Sequence, residues 1–136
     1  MTVNSAAVGN WITEDCSTTD AGNLTLTGTP DQSRLRFVDI FPSGGQVWYS
    51  ISDGVNREAG VGTFTAPGTI VRTNVYSTKV EGVYNGSNPP PITLSGSALV
   101  SCTLNATAFN EIVSELNSHL LDTSIHFVEG SIDHLN

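Results

Sequence analysis

A run of β-forming residues punctuated by glycines, residues 58–77, constrains the fold of this chain more than any other segment. Its β-branched and aromatic residues favour strands. Gly60, Gly62 and Gly68 interrupt them at points where a strand has to bend, bulge or turn. Because glycine has no side chain, Gly60 and Gly62 also leave one face of the strand bare, so that a neighbouring backbone or an aromatic ring can approach closely. The run therefore predicts two strands joined by a turn at residues 66–68.

Short apolar runs with a period of two predict further strands on both sides of this hairpin. Leu24 and Leu26 alternate with threonines, and a second alternating run ends at Asp53-Gly54, a strong signal for a tight turn. The additional strands are predicted near residues 24–28, 35–40, 47–51, 92–94 and 98–104. With turn signals about every ten residues, this pattern favours a mainly β fold, either a small antiparallel sandwich or a partly open barrel.

The hydrophobic period changes at Asn105, where apolar residues begin to recur every three or four positions. This pattern predicts a C-terminal α-helix of about four turns. Its apolar stripe is formed by Phe109, Ile112, Val113, Leu116 and Leu120. A helix this short is marginal in water on its own. It therefore packs either onto its own sheet or against copies of itself, and the spacing alone leaves both arrangements open.

Charge and hydrophobicity argue against two classes of partner. The chain has a formal net charge of −8 and only five scattered basic residues, whereas a nucleic-acid-binding surface needs clustered lysines and arginines. No run approaches the roughly 18 apolar residues that a membrane-spanning helix requires. The N-terminal residues lack the basic and apolar regions of a secretory signal. We therefore expect a protein made in a cytoplasm, with Cys16 and Cys102 reduced.

The sequence contains no recognisable catalytic constellation, and we predict no enzyme activity and no cofactor. Asp53 and Glu58 flank a predicted hairpin, but a turn aspartate and a strand glutamate explain both residues without a shared cleft. His119, His126 and His134 recur at spacings of seven and eight. In a parallel trimer they could meet at the axis and bind a metal ion. A position on a polar face is favoured, so no metal site is predicted.

The tryptophans and one arginine each have a structural and a functional interpretation. Trp11 and Trp48 could each stack on a sugar ring, but we expect Trp48 in the core and Trp11 as the anchor of a docking arm. Arg72 is the best candidate for a fixed ion pair, with Glu58 as its partner across the sheet. As a partly exposed pair, it would mainly orient the hairpin and contribute little to stability.

Three segments resemble patterns in tailed-bacteriophage virion proteins. Residues 58–77 match a Glu-x-Gly-x-Gly-x-aromatic hairpin that leads into an Arg-x-x-Val strand. The residues that carry this match are Glu58, Gly60, Gly62, Phe64 and Arg72. Residues 15–28 resemble the threonine-rich entry strand of the same module, and residues 116–134 resemble a histidine-rich segment that leads into a trimeric shaft. Together, these segments resemble the N-terminal attachment module of phage fibre and virion decoration proteins.

The resemblance implies a division of the chain into three parts. Residues 1–15 would form an N-terminal docking arm, residues 16–104 a β-domain, and residues 105–136 a helical oligomerisation segment leading toward a fibre shaft. The apolar residues expected to anchor the arm are Val3, Val8, Trp11 and Ile12. Because the rest of the arm is polar, it would become ordered only against a neighbouring protein.

The function that the resemblance implies is structural. We expect a non-enzymatic homotrimer, made in a bacterial cytoplasm and located in the virion, which forms the base or adaptor of a tail or head fibre. Its β-domain and N-terminal arm would bind other virion proteins. Threefold symmetry would make the short helix viable, because the apolar stripe of each copy is buried by the others. Two alternatives stay open from the sequence: a capsid decoration or cement protein, and a module that binds host surface glycans.

Overall fold

The computed structural model describes residues 6–103, Asn110 and residues 113–118. The chain divides into two compact units, and the unit Ser5–Asn105 contains the strands of the described residues. These strands are β1 (Thr13–Cys16), β2 (Leu24–Gly28), β3 (Gln46–Asp53), β4 (Asn56–Thr65), β5 (Thr69–Val80), β6 (Val83–Asn85) and β7 (Ala98–Ser101). One short helix, α1 (Phe37–Ile40), lies between β2 and β3. All pairings between these strands are antiparallel.

Six of the strands close into a barrel. They follow the order β2-β1-β7-β3-β4-β5, and β2 then pairs with β5, where Leu24 lies opposite Ile70, to complete the ring. β6 pairs with the far end of β5, and so it lies outside the closed ring as an extra strand. The predicted mainly β, antiparallel fold is therefore confirmed. The barrel is closed, rather than partly open or split into a sandwich.

Apolar residues that alternate along the strands fill the interior of the barrel. The inward residues of β3 are at most 1% exposed: Val47, Tyr49 and Ile51. Their burial agrees with the period of two in the sequence. Phe37 of α1 adds a buried ring, with its centroid 6.1 Å from that of Phe64 on β4 and 6.1 Å from that of Phe41. α1 is therefore part of the core rather than a surface loop.

The glycines of β4 allow β5 to approach closely, as the sequence predicts. Both register shifts between β4 and β5 fall beside a glycine, at Gly60 and at Gly62, as expected for β-bulges. A Cβ atom at Gly60 would overlap the carbonyl oxygen of Asn74 and lie 2.9 Å from the hydroxyl of Tyr49. A Cβ atom at Gly62 would lie 2.6 Å from the carbonyl oxygen of Val71. A side chain at either position would therefore push β5 away from β4.

The strand predicted at residues 35–40 is wrong, because part of this segment forms α1. Asp39 accepts a hydrogen bond from the backbone N–H of Arg36 (2.9 Å), and Glu14 accepts one from that of Phe37 (2.9 Å). Since the first N–H groups of a helix have no partner within the helix, carboxylates at these positions stabilise it. Glu14 is distant in the sequence, and so the local pattern gives no sign of this arrangement.

The strand predicted at residues 92–94 is also wrong, although Ile92 and Leu94 are buried. The segment is an irregular connection whose backbone is held by other parts of the barrel. The N–H of Ile92 donates to Glu58 (2.8 Å), and the N–H of Leu94 donates to the carbonyl of Asp20 (3.1 Å). These acceptors replace the ladder of hydrogen bonds that a strand would form.

Residues 6–15 belong to the barrel unit, and the predicted boundary of a separate arm falls inside β1. Ala7 forms a parallel bridge with Val47 of β3, and Ile12 is buried in the core. Residues 6–15 thus have partners within the same barrel unit, and their ordering against a neighbouring protein stays a prediction. Of the predicted arm anchors, Val3 lies outside the described residues.

Most of the predicted C-terminal helix lies outside the described residues. Residues 113–118 are helical, and within them Val113 is 36% exposed and Leu116 is 53% exposed. The predicted residues outside the described part of the chain are Phe109, Ile112, Leu120, His119, His126 and His134. The full helix and its self-association therefore stay predictions.

Candidate functional site

A buried ionic cluster joins the two strands of the predicted hairpin. Arg72 on β5 donates to Glu58 on β4, with 3.0 Å between Nη1 and Oε1, so the predicted ion pair is present. The side chain of Arg72 is 2% exposed and that of Glu58 is 0% exposed, so the pair is buried rather than partly exposed. The hydroxyl of Tyr49 donates to the other carboxylate oxygen of Glu58, at 2.6 Å. The pair is thus an internal part of the barrel.

The same cluster fixes two connections of the chain. The N–H of Ile92 donates to Oε1 of Glu58 (2.8 Å), and its carbonyl accepts from Nη1 of Arg72 (2.8 Å). Nη2 of Arg72 also donates to the carbonyl of Asp20 (3.3 Å). Among the buried side-chain polar atoms of the described residues, Nε of Arg72 lacks a partner. The other charged atoms of the pair are engaged by groups of the chain itself.

Burial keeps the third member of the cluster, Tyr49, in its neutral form. Desolvation, followed by the charge of Glu58 and the hydrogen bond to it, raises the pKa of the Tyr49 phenol well above its usual range. The phenol therefore continues to donate to Glu58 at neutral and mildly alkaline pH. All three side chains are buried, and the cluster joins β3, β4 and β5 inside the barrel.

Two further buried carboxylates anchor connections in the same way. Glu14 on β1 is 0% exposed, and it accepts from Nε of Arg36 (3.1 Å) as well as from the backbone of Phe37. Asp53, at the end of β3, accepts from the N–H (2.8 Å) and the hydroxyl (2.6 Å) of Ser95. Asp53 and Glu58 thus hold different connections of the chain, Asp53 that at Ser95 and Glu58 that at Ile92. Sequence reasoning missed Glu14, because a lone glutamate in a short polar strand gives no sign of burial.

Trp48 lies on the outside of the barrel, beneath the N-terminal segment. It alternates with the inward residues of β3 but is only 2% exposed. Its ring centroid is 5.7 Å from that of Tyr76, and its Nε1 donates to the carbonyl of Ala6 (3.2 Å). Trp48 is therefore a buried packing residue, as expected, and cannot stack on a sugar.

Trp11 has the opposite environment and is 68% exposed. Its φ angle is 58°, in the left-handed region that a bulky residue rarely adopts. The carbonyl of Trp11 accepts a hydrogen bond from the N–H of Leu35 (2.7 Å), which holds this conformation in place. Of the predicted arm anchors, Val8 and Trp11 are exposed, whereas Ile12 lies in the core.

Other exposed apolar residues lie in the segments that flank Trp11. A Cβ atom at Gly9 would be 3.3 Å from Cγ2 of Ile40, so the N-terminal segment packs directly against α1. We define the Trp11 surface as the exposed apolar residues of these segments, Val8, Trp11, Leu35, Val38 and Ile40. Exposed apolar residues that lie on neighbouring segments are typical of interaction sites. Sequence reasoning found two members of this surface but not the contribution of α1.

A shallow groove crosses the outer face of β7, β3, β4, β5 and β6, with a volume of about 360 Å³. Its floor is a row of small side chains in register: Ser101, Ser50, Ala59 and Ser77. The next row of cross-strand neighbours consists of Leu99, Ser52, Arg57, Lys79 and Tyr84. We call these two rows the outer groove. Its basic residues are separated in the sequence, and only the register of the strands brings them together.

The described part of the chain contains neither a candidate metal-binding cluster nor a helix that could span a membrane. Among the described residues, no group of three His, Cys, Asp or Glu side chains could hold a metal ion. In this same described part of the chain, no helix has the length and hydrophobicity needed to cross a bilayer. Cys16 and Cys102 are free thiols and buried. Burial raises the pKa of Cys102, while the N–H of Gly9, which donates to its sulfur at 3.4 Å, acts in the opposite direction.

Comparison of the chain with family models, curated proteins and solved structures finds no match. The buried carboxylates serve the barrel itself. The Trp11 surface and the outer groove, in contrast, are open to a partner. These two surfaces are therefore the candidate functional sites of the described residues.

Proposed function

We propose that this chain is a non-enzymatic structural component of a tailed-bacteriophage virion, the base or adaptor of a trimeric fibre. In this proposal, the chain docks on a neighbouring protein of the particle through the Trp11 surface. The resemblance of residues 15–28, 58–77 and 116–134 to phage attachment modules supports the assignment to a virion. The exposure of Trp11 is the structural observation that carries the docking role.

The conformation of Trp11 is unfavourable for the isolated chain. A left-handed backbone at a residue with a Cβ atom costs roughly 1–2 kcal/mol. Leaving a large apolar side chain in water forgoes a further stabilisation of roughly 1.5–3 kcal/mol. Tryptophan is among the residues most enriched in the energetically dominant positions of protein interfaces. A partner that buries the indole would recover the lost stabilisation, and this favours a docking role.

Ile12, the residue after Trp11, attaches the Trp11 surface to the barrel. Ile12 is buried, forms a parallel bridge with Leu35, and accepts a hydrogen bond from the N–H of Cys102 (3.0 Å). Trp11 therefore sits on a backbone that is fixed on both sides. Because a preorganised surface loses little conformational entropy on binding, this mounting suits a permanent contact in an assembled particle.

The role of the buried carboxylates supports a non-enzymatic function. A general acid or base has to lie within hydrogen-bonding reach of a substrate. Glu14, Asp53 and Glu58 are each at most 7% exposed, and each holds a connection of the barrel. Their charges therefore contribute to the structure of the domain.

Self-association through the C-terminal segment is the second part of the proposal. Leu116, within the described helical residues, is 53% exposed and belongs to the apolar stripe predicted from the sequence. In a trimer, three such stripes would bury one another, and the short helix would gain the stability that it lacks alone. Each subunit would then present its own Trp11 surface to the particle.

The docking role is tested by the incorporation of variants into particles. In Trp11→Asn, the indole is removed and replaced by a residue type that tolerates the left-handed conformation. Val55→Asn is the matched control, because Val55 is 72% exposed and lies at the turn between β3 and β4. We expect the control to be incorporated like the wild type and Trp11→Asn to be incorporated at least tenfold less. Equal incorporation of both variants would refute docking through Trp11.

The two alternatives from the sequence differ in how they relate to these surfaces. A capsid decoration protein would also use the Trp11 surface, but it would occur in many more copies per particle than a fibre base. Quantification of the chain in purified particles therefore separates these two roles. Recognition of a host glycan is favoured by a different observation, the residues that line the outer groove.

A further inference from the structure

The outer groove places two positive charges side by side on a protein with a net charge of −8. Arg57 on β4 lies directly opposite Lys79 on β5. Like charges at directly opposed positions of a sheet are destabilising. Neither residue forms a salt bridge within the described part of the chain. An anion bound between them would replace this repulsion with two attractive contacts.

Arg57 is positioned by its own turn and retains donors for a ligand. Its Nη1 donates to the carbonyls of Gly54 (2.6 Å) and Asn56 (2.9 Å), which fixes the guanidinium. Nη2 and Nε lie on the same planar group and match the two oxygens of a carboxylate. The ammonium of Lys79 supplies up to three further donors. The pair therefore favours a ligand that carries a carboxylate.

The floor of the outer groove offers hydroxyls rather than main-chain groups. Ser50 shares a hydrogen bond with Thr103 (2.7 Å), and Ser101 shares one with Thr13 (2.9 Å), so these hydroxyls are oriented but keep lone pairs to accept from a ligand. β7, β3, β4 and β5 each have a neighbouring strand on both sides. An extended peptide could therefore join a strand edge of this face only at β6, whose outer side has no partner strand among the described residues. A ligand rich in hydroxyl groups fits the floor better than a peptide does.

An aromatic ring stands at one end of the outer groove. Tyr84 on β6 lies opposite Lys79 and is 70% exposed. The electron-rich face of such a ring attracts polarised C–H groups, which line one face of a sugar ring. From β7 to β6 the groove spans four strand spacings, or roughly 19 Å. This length accommodates several sugar units.

The nearest carboxylate in the same row is far from the two cations. Asp15 on β1 lies opposite Leu99 on β7, and is three strand spacings, or roughly 14 Å, from Arg57. Glu58 lies beneath the sheet, where it is paired with Arg72. Glu81 follows Lys79 by two positions and donates its N–H to Asn56 (2.9 Å), but within the described part of the chain it forms no salt bridge with either cation. The two charges are therefore not paired by their own row, by the residue beneath them or by this turn.

We propose that the outer groove binds an acidic oligosaccharide. A uronic or sialic acid carboxylate lies between Arg57 and Lys79, a sugar ring packs against Tyr84, and the serine hydroxyls of the floor contact neighbouring units. This binding activity goes beyond the structural role in a virion. It also involves residues that are separate from the Trp11 surface.

The first test is a titration of the full 136-residue chain with defined oligosaccharides, in which binding is measured by NMR and by calorimetry. The acidic probes are tetragalacturonic acid and trisialic acid, and the neutral control is maltotetraose. We expect saturable binding of at least one acidic probe, with shifted signals at residues of the outer groove and weaker binding at higher salt. Binding of neither acidic probe at millimolar concentration, or equal binding of maltotetraose, would overturn the proposal.

The second test assigns the binding to the outer groove. Lys79→Gln is compared with Arg34→Gln, which removes the same charge from the exposed residue Arg34, outside the groove. We expect Lys79→Gln to weaken binding about tenfold, the effect of one charge-assisted hydrogen bond, and Arg34→Gln to change it less than twofold. Tyr84→Ala should weaken binding independently of salt. Since all three residues are exposed, an unchanged melting temperature checks that each variant is folded.

Two results would overturn the assignment to the outer groove. Equal weakening by Arg34→Gln and Lys79→Gln would show that the probe responds to the net charge of the protein. Binding of a hexa-aspartate peptide as tightly as the acidic oligosaccharide would show that the groove takes an acidic peptide. Neither result bears on incorporation into particles, so failure of this proposal is distinguishable from failure of the proposed virion role.

Discussion

Removal of Arg72 leaves the carboxylate of Glu58 buried without its positive partner. In Arg72→Met, a side chain of similar length fills the space, and Glu58 keeps the donors from Tyr49 and Ile92. The loss of one member of a buried ion pair typically destabilises a protein by about 3–5 kcal/mol. Because small domains are stable by only about 5–15 kcal/mol, we expect a large shift of the unfolding midpoint.

A double-mutant cycle separates the ion pair from the packing of the two side chains. Glu58→Gln leaves Arg72 buried, with the carbonyls of Ile92 and Asp20 as partners, and we expect it to cost about 3 kcal/mol. The double variant removes both charges, so its cost should fall short of the sum of the single variants by about 2 kcal/mol or more. Equilibrium unfolding in urea, followed by tryptophan fluorescence, measures all three free energies.

The control for this cycle is Arg57→Met, at an exposed arginine on β4. Among the described residues, its guanidinium donates only to carbonyls of its own turn, so we expect a cost below about 1 kcal/mol. An Arg72→Met variant that loses no more stability than Arg57→Met would refute the account of the buried cluster. Additive effects of Arg72→Met and Glu58→Gln would refute it as well, because they would show that the two charges do not stabilise each other.

Three further predictions concern the barrel and the C-terminal segment. Gly62→Ala should destabilise the protein by about 1–3 kcal/mol, because its Cβ atom would lie 2.6 Å from a carbonyl oxygen of β5. The control Gly45→Ala should cost less than about 1 kcal/mol, because the nearest carbonyl oxygen to its Cβ atom is 3.7 Å away. Similar unfolding midpoints for both variants would contradict the close approach of β5 to β4. Folding raises the pKa of Tyr49, so its contribution to stability is complete below about pH 10, the pKa in the unfolded chain, and is lost above that pH by up to about 1.4 kcal/mol per pH unit. In urea unfolding between pH 9 and 11, the free energy of unfolding should therefore fall more steeply with pH for the wild type than for Tyr49→Phe. Equal dependence on pH in the two proteins would contradict this. Light scattering should give three times 14.4 kDa for the wild type and a single copy for Leu116→Asp, with the β-domain still folded; an unfolded Leu116→Asp would instead place the helix in the core of its own domain.

The hairpin could be predicted from the sequence because its determinants are local. β-branched residues and the glycine positions indicated the strands and their close approach. The sequence predicts a close approach at Gly60 and Gly62, and in the structure no side chain would fit between β4 and β5 at these positions. The pairing of Glu58 with Arg72 followed from placing the two strands side by side. Local periodicity was sufficient wherever one face of a strand is buried.

The burial of the Glu58–Arg72 pair could not be predicted, because it depends on distant residues. Ile92 and Asp20 supply the backbone partners that compensate the two charges. Without knowledge of these contacts, an exposed pair was the simpler interpretation. The same reason explains the missed strand β1, in which the buried Glu14 finds its donors in the distant residues Arg36 and Phe37.

The candidate binding surfaces were partly visible in the sequence. Trp11 was identified as an anchor, but its left-handed conformation, held by the hydrogen bond from Leu35, was not. The outer groove was not identified at all. Arg57 and Lys79 are 22 positions apart in the sequence, and the register of β4 with β5 places them opposite each other. Charge counts along a sequence cannot reveal such a pair.

The amount of this chain in purified phage particles tests the central claim most directly. Quantitative mass spectrometry, with an isotope-labelled copy of the chain as the standard, would measure the number of copies per particle. The account predicts that the chain copurifies with particles, in a copy number that is a multiple of three. A chain that is abundant in the producing cells but absent from purified particles would contradict the proposed role as a virion component.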